Sequence, residues 1–114
     1  MTPITDITGT SLQGSLEISY NKLIKIFGEP HVKRTAPFDT RFDNKTDVEW
    51  HFVEERDEVD NVVFTIYNWK NGAAYTGKGK VEAITRWNVG GYDSRAFDEV
   101  INKIYLKEEI LHEI

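Results

Sequence analysis

The feature that most constrains this chain is a pair of alternating segments, "DVEWHFVEE" and "VVFTIYNWK", separated by the polar stretch "RDEVDN". In the first segment Val48, Trp50 and Phe52 alternate with Glu49 and His51, which places the two sets on opposite faces of a strand. The second segment is rich in β-branched and aromatic residues, as strands are. The two segments therefore predict neighbouring antiparallel strands joined by a polar turn.

A third strand is predicted over "VEAITRWNV", where one face would carry Val81, Ala83, Thr85, Trp87 and Val89. The connecting stretch "NGAAYTGKGK" predicts an exposed loop. Between Val32 and Asp47 the pattern fades, which indicates a long loop or an irregular strand. Three consecutive strands of this kind are typical of an antiparallel meander.

A first helix is predicted over "ISYNKLIKIFGEP", with Ser19 as N-cap and a stop signal at Gly28 and Pro30. Its apolar residues fall at helical spacing, at Tyr20, Leu23, Ile24 and Phe27.

A closing helix is predicted after Gly91, with Asp93 as N-cap and with Tyr92 and Phe97 as a hydrophobic staple. The expected buried stripe of this helix consists of Phe97, Val100, Ile101 and Ile104. The tail extends this helix or frays, and its Ile110, Leu111 and Ile114 offer an oligomer contact.

The predicted fold class is therefore α+β, in the order α-β-β-β-α. Helices would pack against a three-stranded antiparallel sheet, with a fourth strand possible near "GTSLQGSLEI". The length of 114 residues predicts a single domain.

Composition excludes several classes of function. The 14 basic and 19 acidic residues give a net charge of −5, which disfavours nonspecific nucleic-acid binding. Without cysteine there is no disulfide, thiol nucleophile or thiolate metal site. No secretory signal and no apolar run of membrane-spanning length is present, so we expect a soluble intracellular protein.

Neither a metal site nor a catalytic site is predicted. His31, His51 and His112 stand in unrelated contexts without metal-ligand spacing, and Ser11 and Ser94 lack the context of an activated nucleophile. We therefore expect no metal, no cofactor and no enzymatic activity.

Two stretches carry candidate ligand-binding residues. In "GTSLQG", the side chains of Thr10, Ser11 and Gln13 can hydrogen-bond a ligand, although Leu12 could instead plug the core. In "TIYNWKNG", Tyr67 and Trp69 share one strand face, where they would stack on planar rings or belong to the core.

Two further stretches give weaker signals. Lys78 lies in "GKGK", which lacks the complete spacing of a phosphate-binding loop. In "WNVGGYDS", Gly90 and Gly91 allow positive φ and close approach of a ligand or another backbone. A strand-to-helix corner is the simpler interpretation, and a ligand role for Trp87 or for the two glycines is the alternative.

The motifs "TSLQG", "YNKLIKIFGEP", "VEWHF", "TIYNWKNG" and "ITRWNVGGYDSRA", in this order, resemble a family of small bacteriophage proteins. The match covers residues 9 to about 105. The chain departs from that family at Asn88, where histidine is common, and in a longer, more acidic insert around "EERDEVDN". The resemblance implies a phage accessory protein, and such proteins often block a host defence.

The first functional hypothesis is an oligomeric, non-enzymatic binder that sequesters a nucleotide-type immune signal. Such binding would have to be on the order of nanomolar, about −12 kcal/mol. Its stacking residues would be Tyr67, Trp69 and Trp87, its phosphate contacts Lys70, Lys78 and Arg95, and its hydrogen-bonding residues Thr10, Ser11 and Gln13 with the Gly90-Gly91 backbone.

Two other hypotheses remain open. In the alternative, an acidic face would mimic nucleic acid and inhibit a defence nuclease, as an anti-CRISPR protein does. That face would consist of Glu54, Glu55, Asp57, Glu58 and Asp60. The third hypothesis, a small nucleotide-directed enzyme, has no residues to support it.

Overall fold

The computed structural model describes residues 1–33, 45–56 and 61–112, with side chains described as far as residue 107. Six strands are formed: β1 (Thr2–Pro3), β2 (Ser11–Glu17), β3 (Val32–Lys33), β4 (Val48–Glu55), β5 (Asn61–Tyr67) and β6 (Arg86–Gly91). Three α-helices are formed: α1 (Tyr20–Phe27), α2 (Ala73–Thr76) and α3 (Arg95–His112), with a 3₁₀ turn at Val81–Ala83.

The strands form one antiparallel sheet in the order β1-β4-β5-β6-β2, and β3 also pairs with β4. The α+β class and the β4-β5-β6 meander are thereby confirmed, as is the strand in "GTSLQGSLEI". The predicted count of three or four strands is wrong. It misses β1 and β3 because two residues are too few to show a period.

The first helix forms as predicted. The Ser19 hydroxyl accepts the amide of Lys22 at 3.2 Å, and the amide of Gly28 closes the helix on the carbonyl of Ile24. Tyr20, Leu23 and Phe27 are buried against the sheet. The cap and the apolar stripe therefore fix both the ends and the orientation of α1.

One face of the sheet carries the core, which α1 and α3 cover. The Tyr20 ring lies 6.0 Å from that of Trp50 and 6.2 Å from that of Trp87, and Phe27 lies 6.1 Å from both Phe52 and Phe64. Val48, Trp50 and Phe52 share this buried face, as predicted from their alternation. Trp87 donates its indole N–H to the Ile18 carbonyl at 2.9 Å, so its polar atom is satisfied inside the core.

The predicted third strand begins too early. Val81–Ala83 forms a 3₁₀ turn, and pairing starts only at Arg86. Val81 packs against the core and Ile84 is buried, whereas Ala83 and Thr85 are exposed. The inward side chains Val81 and Ile84 are three residues apart, which is the spacing of a 3₁₀ turn. The alternation of Val81, Ala83 and Thr85 in the sequence therefore does not reflect a strand here.

The closing helix also differs from its prediction in part. The Asp93 carboxylate accepts the Arg95 amide at 3.0 Å, as an N-terminal cap does, although the helix is assigned from Arg95. Val100 is buried, but Ile101 is 39% exposed, so its place in the buried stripe is wrong. Glu99, which precedes Val100 in α3, is buried instead and pairs with Arg56.

The hydroxyl of Tyr92, the predicted staple residue, donates to the Thr8 carbonyl at 2.9 Å. Its ring stays 54% exposed. The predicted oligomer residues Ile110, Leu111 and Ile114 lie outside the described side chains, as do the predictions for 34–44 and 57–60.

Candidate functional site

The second face of the sheet carries the polar members of the same alternation. We call this the pocket face, and its residues are Glu49 and His51 of β4, Val63, Thr65 and Tyr67 of β5, and Asn88 and Gly90 of β6. Strand register brings them side by side, because Tyr67 pairs with both Glu49 and Asn88, and Thr65 pairs with both His51 and Gly90.

A segment near the start of the chain crosses the pocket face. β1 and β2 follow each other in sequence but occupy opposite edges of the sheet. Four interstrand spacings amount to about 19 Å, and the seven residues 4–10 can span about 23 Å when extended. Ile7 and Thr10 of this segment lie beside Thr65 and Gly90, so the crossing passes over the pocket face.

A cavity of about 190 Å³ lies between this crossing and the sheet. The described residues of its lining are mainly hydroxyl-bearing and aromatic, with one carboxylate: Ile7, Thr10, Ser11, Thr46, Glu49, Thr65, Tyr67, Trp69 and Gly90. Such a mixture of flat apolar surface and a few polar groups is typical of small-molecule sites.

Two aromatic rings form a corner of the cavity. Tyr67 and Trp69 lie with ring centroids 6.3 Å apart and planes at 83°, and Trp69 is 41% exposed. Burial raises the pKa of Tyr67, as does the nearby charge of Glu49, while a hydrogen bond with Asn88 opposes the shift. Tyr67 is therefore a neutral phenol, and the Trp69 ring is partly exposed with Lys45 Nζ 5.3 Å from its centroid.

The residue between these two aromatics anchors the corner. Asn68 is fully buried, and its Oδ1 accepts the amides of Asp47 at 2.7 Å and Val48 at 3.1 Å. Its Nδ2 donates to Asp47 Oδ2 at 2.7 Å, and Asp47 Oδ1 accepts the Ala74 amide at 3.0 Å. This network fixes the chain on both sides of Trp69.

A chain of polar groups extends from the cavity through β4. Glu49 Oε2 lies 2.7 Å from His51 Nε2, and the His51 amide donates to His31 Nδ1 at 2.9 Å. Burial lowers the pKa of His31, and the charge of His51 lowers it further. His51 is itself buried, so the Glu49 carboxylate is held from behind by a side chain with little freedom.

The two glycines lie inside β6 and not at a corner, and neither has positive φ. Both permit close approach instead. A Cβ on Gly90 would lie 2.6 Å from Thr65 Oγ1, inside the cavity, and a Cβ on Gly91 would lie 2.2 Å from Ala96 Cβ, under α3. Neither glycine uses the positive φ that it allows, and the close approach in the structure is that of neighbouring protein atoms.

Of the predicted ligand residues, the structure gathers Thr10, Ser11, Tyr67, Trp69 and Gly90 around one cavity. Leu12 is 59% exposed, so its interpretation as a core plug is wrong.

The other predicted ligand residues lie elsewhere. Trp87 is in the core, and Gln13 donates to the Gly91 carbonyl at 3.1 Å at the sheet edge. Lys70 lies next to Trp69 with its Nζ 5.7 Å from the Tyr75 ring, and Arg95 pairs with Asp93. Lys78 lies in the exposed loop after α2. None of these residues, nor Gly91, lines the cavity.

The sequence did not single out Ile7, Thr46, Glu49 and Thr65. The alternation places Glu49 only on the face opposite Trp50, and in the structure it lines the cavity. Thr65 could have been predicted from the sequence, because it lies two residues before Tyr67 and so shares its strand face. Glu49 could have been predicted from its place in the neighbouring strand of the meander. Ile7 gave no signal, because its place depends on the crossing.

The acidic surface of the alternative hypothesis is partly engaged in the fold. Glu54 accepts Lys103 Nζ at 2.9 Å, and this hydrogen bond lowers the pKa of Glu54. Glu55 is exposed, and Asp57, Glu58 and Asp60 lie outside the described residues. Charge reversal at Glu54 would therefore break a contact between β4 and α3 as well as change the surface.

No helix within residues 1–33, 45–56 and 61–112 is long and apolar enough to cross a membrane. In the same part of the chain no three acidic or histidine side chains cluster as metal ligands.

No protein-family model matches the chain, and no curated protein or solved structure is significantly similar to it. The fold defines an antiparallel α+β protein with a pocket on one sheet face, and its function has to be argued from that pocket.

Proposed function

We propose that the protein is a non-enzymatic binder that sequesters a nucleotide-type ligand in the cavity on the pocket face. The proposal rests on one observation: predicted ligand residues from distant parts of the chain line the same cavity. Thr10 and Ser11, from one end of the chain, meet Tyr67, Trp69 and Gly90 around the same space. Aromatic faces stack on bases, and hydroxyl groups satisfy their polar edges.

The size of the cavity indicates how such a ligand would be held. Pockets that enclose a drug-sized molecule measure about 300–1,000 Å³, and this one is smaller. It suits one ring system, with the rest of the ligand outside. A second copy of the chain could cover that outer part, which agrees with the expected homo-oligomer.

The biological setting follows from the resemblance to small bacteriophage proteins. In that setting the ligand is a nucleotide signal of bacterial immunity, and the protein acts in the cytoplasm of the infected host. Sequestration requires no turnover, in keeping with the expected absence of catalytic residues. Incubation with a bound nucleotide should therefore return the nucleotide unchanged when it is analysed by chromatography.

The direct test is isothermal titration of protein that has been unfolded, stripped of ligand and refolded. The panel comprises mononucleotides, linear dinucleotides and cyclic dinucleotides. We expect at least one to bind, and Trp69→Ala to weaken it by about 1–3 kcal/mol, or roughly 5- to 150-fold, because stacking is lost. Tyr105→Ala, an exposed aromatic on α3, is the matched control. Absence of binding by every member, or equal binding by Trp69→Ala, would refute the proposal.

Native mass spectrometry of protein purified without denaturation tests the oligomeric part separately. A multimer is expected, with added mass in the nucleotide range if the expression host makes the ligand. A bare monomer that still binds a nucleotide on titration would reject the oligomer and leave the binding proposal intact.

A further inference from the structure

Among the described residues that line the cavity, Glu49 is the only charged one. It lies on the pocket face directly beside Tyr67, its register partner in β5. A carboxylate accepts hydrogen bonds and donates none, so it imposes a condition on whatever enters the cavity. The occupant must present N–H or O–H groups to it.

The carboxylate is oriented before any ligand arrives. Oε2 lies 2.7 Å from His51 Nε2, and the backbone amide of His51 is bound in turn by His31. No donor among the described residues reaches Oε1 of Glu49. Each carboxylate oxygen has two lone pairs, so Oε2 can accept a second hydrogen bond while Oε1 accepts a first.

The same charge determines which end of a nucleotide enters. A phosphate beside Glu49 would bring like charges together, which disfavours both groups in a partly dry site. Two lysines lie instead near Trp69, the exposed member of the aromatic corner: Lys45 Nζ is 5.3 Å from the Trp69 ring centroid, and Lys70 follows Trp69 in the chain. A base inside the cavity and phosphates outside it match this distribution.

Among the bases, guanine fits the carboxylate best. Its N1–H and N2–H groups are adjacent donors on one edge and can meet both oxygens at once, as paired N–H groups meet a carboxylate elsewhere. Adenine presents one amine beside an acceptor nitrogen, and uracil presents one N–H between two carbonyls. Each of those edges places an acceptor against the carboxylate.

We propose that Glu49 selects a guanine base, which enters the cavity base-first and stacks at the Tyr67–Trp69 corner. This inference rests on the proposed function and adds the class of ligand. A ribose diol also offers two donors to a carboxylate, as acidic residues in dinucleotide-binding folds show. The experiment therefore separates base from sugar.

The test is titration of wild-type protein, Glu49→Gln and Glu55→Gln with GMP, IMP, AMP and 2′-deoxy-GMP. IMP lacks only the N2 amine of GMP, and Glu55 is an exposed glutamate at the end of the same strand. For wild type and for Glu55→Gln we expect GMP and 2′-deoxy-GMP to bind equally, and about tenfold or more tightly than IMP or AMP. Glu49→Gln should remove that preference, and Glu49→Asp, a shorter acid, should retain part of it.

Equal binding of GMP and IMP by the wild type would overturn the inference, and so would a preference that survives in Glu49→Gln. Loss of affinity in 2′-deoxy-GMP that depends on Glu49 would assign the carboxylate to the sugar and overturn the assignment to the base. Thermal unfolding of each variant shows that a lost preference is not lost folding. Nucleotide binding without a preference refutes this inference alone, whereas absence of all nucleotide binding refutes the proposed function as well.

Discussion

At the scale of single residues, the adjacent glycines of β6 serve two different sides of the sheet. Gly90 faces the cavity, and Gly91 faces α3 through Ala96. Alternation along a strand requires this division, because successive residues point to opposite faces. We therefore expect Gly90 to affect ligand binding and Gly91 to affect stability.

Exchanging each glycine for alanine should separate these roles. Gly91→Ala places a methyl group against Ala96 and the Val63 carbonyl, which cannot rotate away, so we expect a loss of about 2–3 kcal/mol in unfolding free energy. Gly90→Ala meets the end of a threonine side chain and should cost about 1 kcal/mol while weakening nucleotide binding tenfold or more. Urea denaturation and titration measure the two effects, and equal destabilisation by both variants would contradict this division.

Asn68 should be the costliest polar residue near the site to replace. Asn68→Ala would leave two backbone amides and one oxygen of Asp47 without their partner in a buried region. Each unsatisfied group costs about 1–3 kcal/mol, so we expect a loss of about 3 kcal/mol or more by urea denaturation. Asn102→Ala, exposed on α3, serves as control and should change little. A similar small effect for both would show that water readily replaces the Asn68 network.

Some residue roles were accessible from sequence, and others were not. The Ser19 cap and the α1 stripe follow from local spacing alone. The pairing of Tyr67 with Trp69 on one side also follows, but alternation does not say which side is buried. That choice depends on where α1 and α3 pack, which is against the face that carries Trp50, Phe64 and Trp87.

At the scale of elements, a cluster of ion pairs holds α3 against β4. Lys103 lies 2.9 Å from Glu54 of β4 and 3.2 Å from Glu99 one turn earlier in α3. Glu99 in turn pairs with Arg56. Because the second core helix depends on these contacts, part of its docking is electrostatic.

Lys103→Met should therefore lower the unfolding free energy at pH 7 by about 1 kcal/mol, the upper range for a partly exposed pair. The hydrogen bond from Lys103 lowers the pKa of Glu54 in the folded protein. The stabilisation by the Glu54–Lys103 pair is thus complete above the ordinary glutamate pKa. It is lost as the pH falls through the lowered pKa of Glu54 in the folded protein. Thermal unfolding between pH 7 and pH 3 should show a shallower acid decline for Lys103→Met than for wild type. Parallel profiles would mean that Lys103 contributes nothing to the acid response.

Prediction at this scale worked where elements were regular. The meander and the two longer helices are recognisable because their periods persist over six or more residues. Prediction failed at Val81–Ala83, where an apolar spacing of three was mistaken for alternation, and at the two-residue strands β1 and β3.

At the scale of the whole molecule, the site depends on a topological feature. The strands that follow each other at the start of the chain lie at opposite edges of the sheet, and the segment between them crosses the pocket face. Consecutive strands are usually neighbours, so the sequence gives no local sign of this crossing. The contribution of Ile7 and the roof over the cavity could be seen only in the structure.

The central claim, that the cavity on the pocket face holds a nucleotide base, is tested most directly by nuclear magnetic resonance. The chain is 13.2 kDa, and a symmetric oligomer gives no more backbone amide signals than one chain of this size. During titration with GMP we expect the largest shifts at the amides of Thr10, Ser11, Thr65 and Gly90, with little change along α3. Shifts confined to α3 or to residues 54–56, or no shifts at any GMP concentration, would contradict the account.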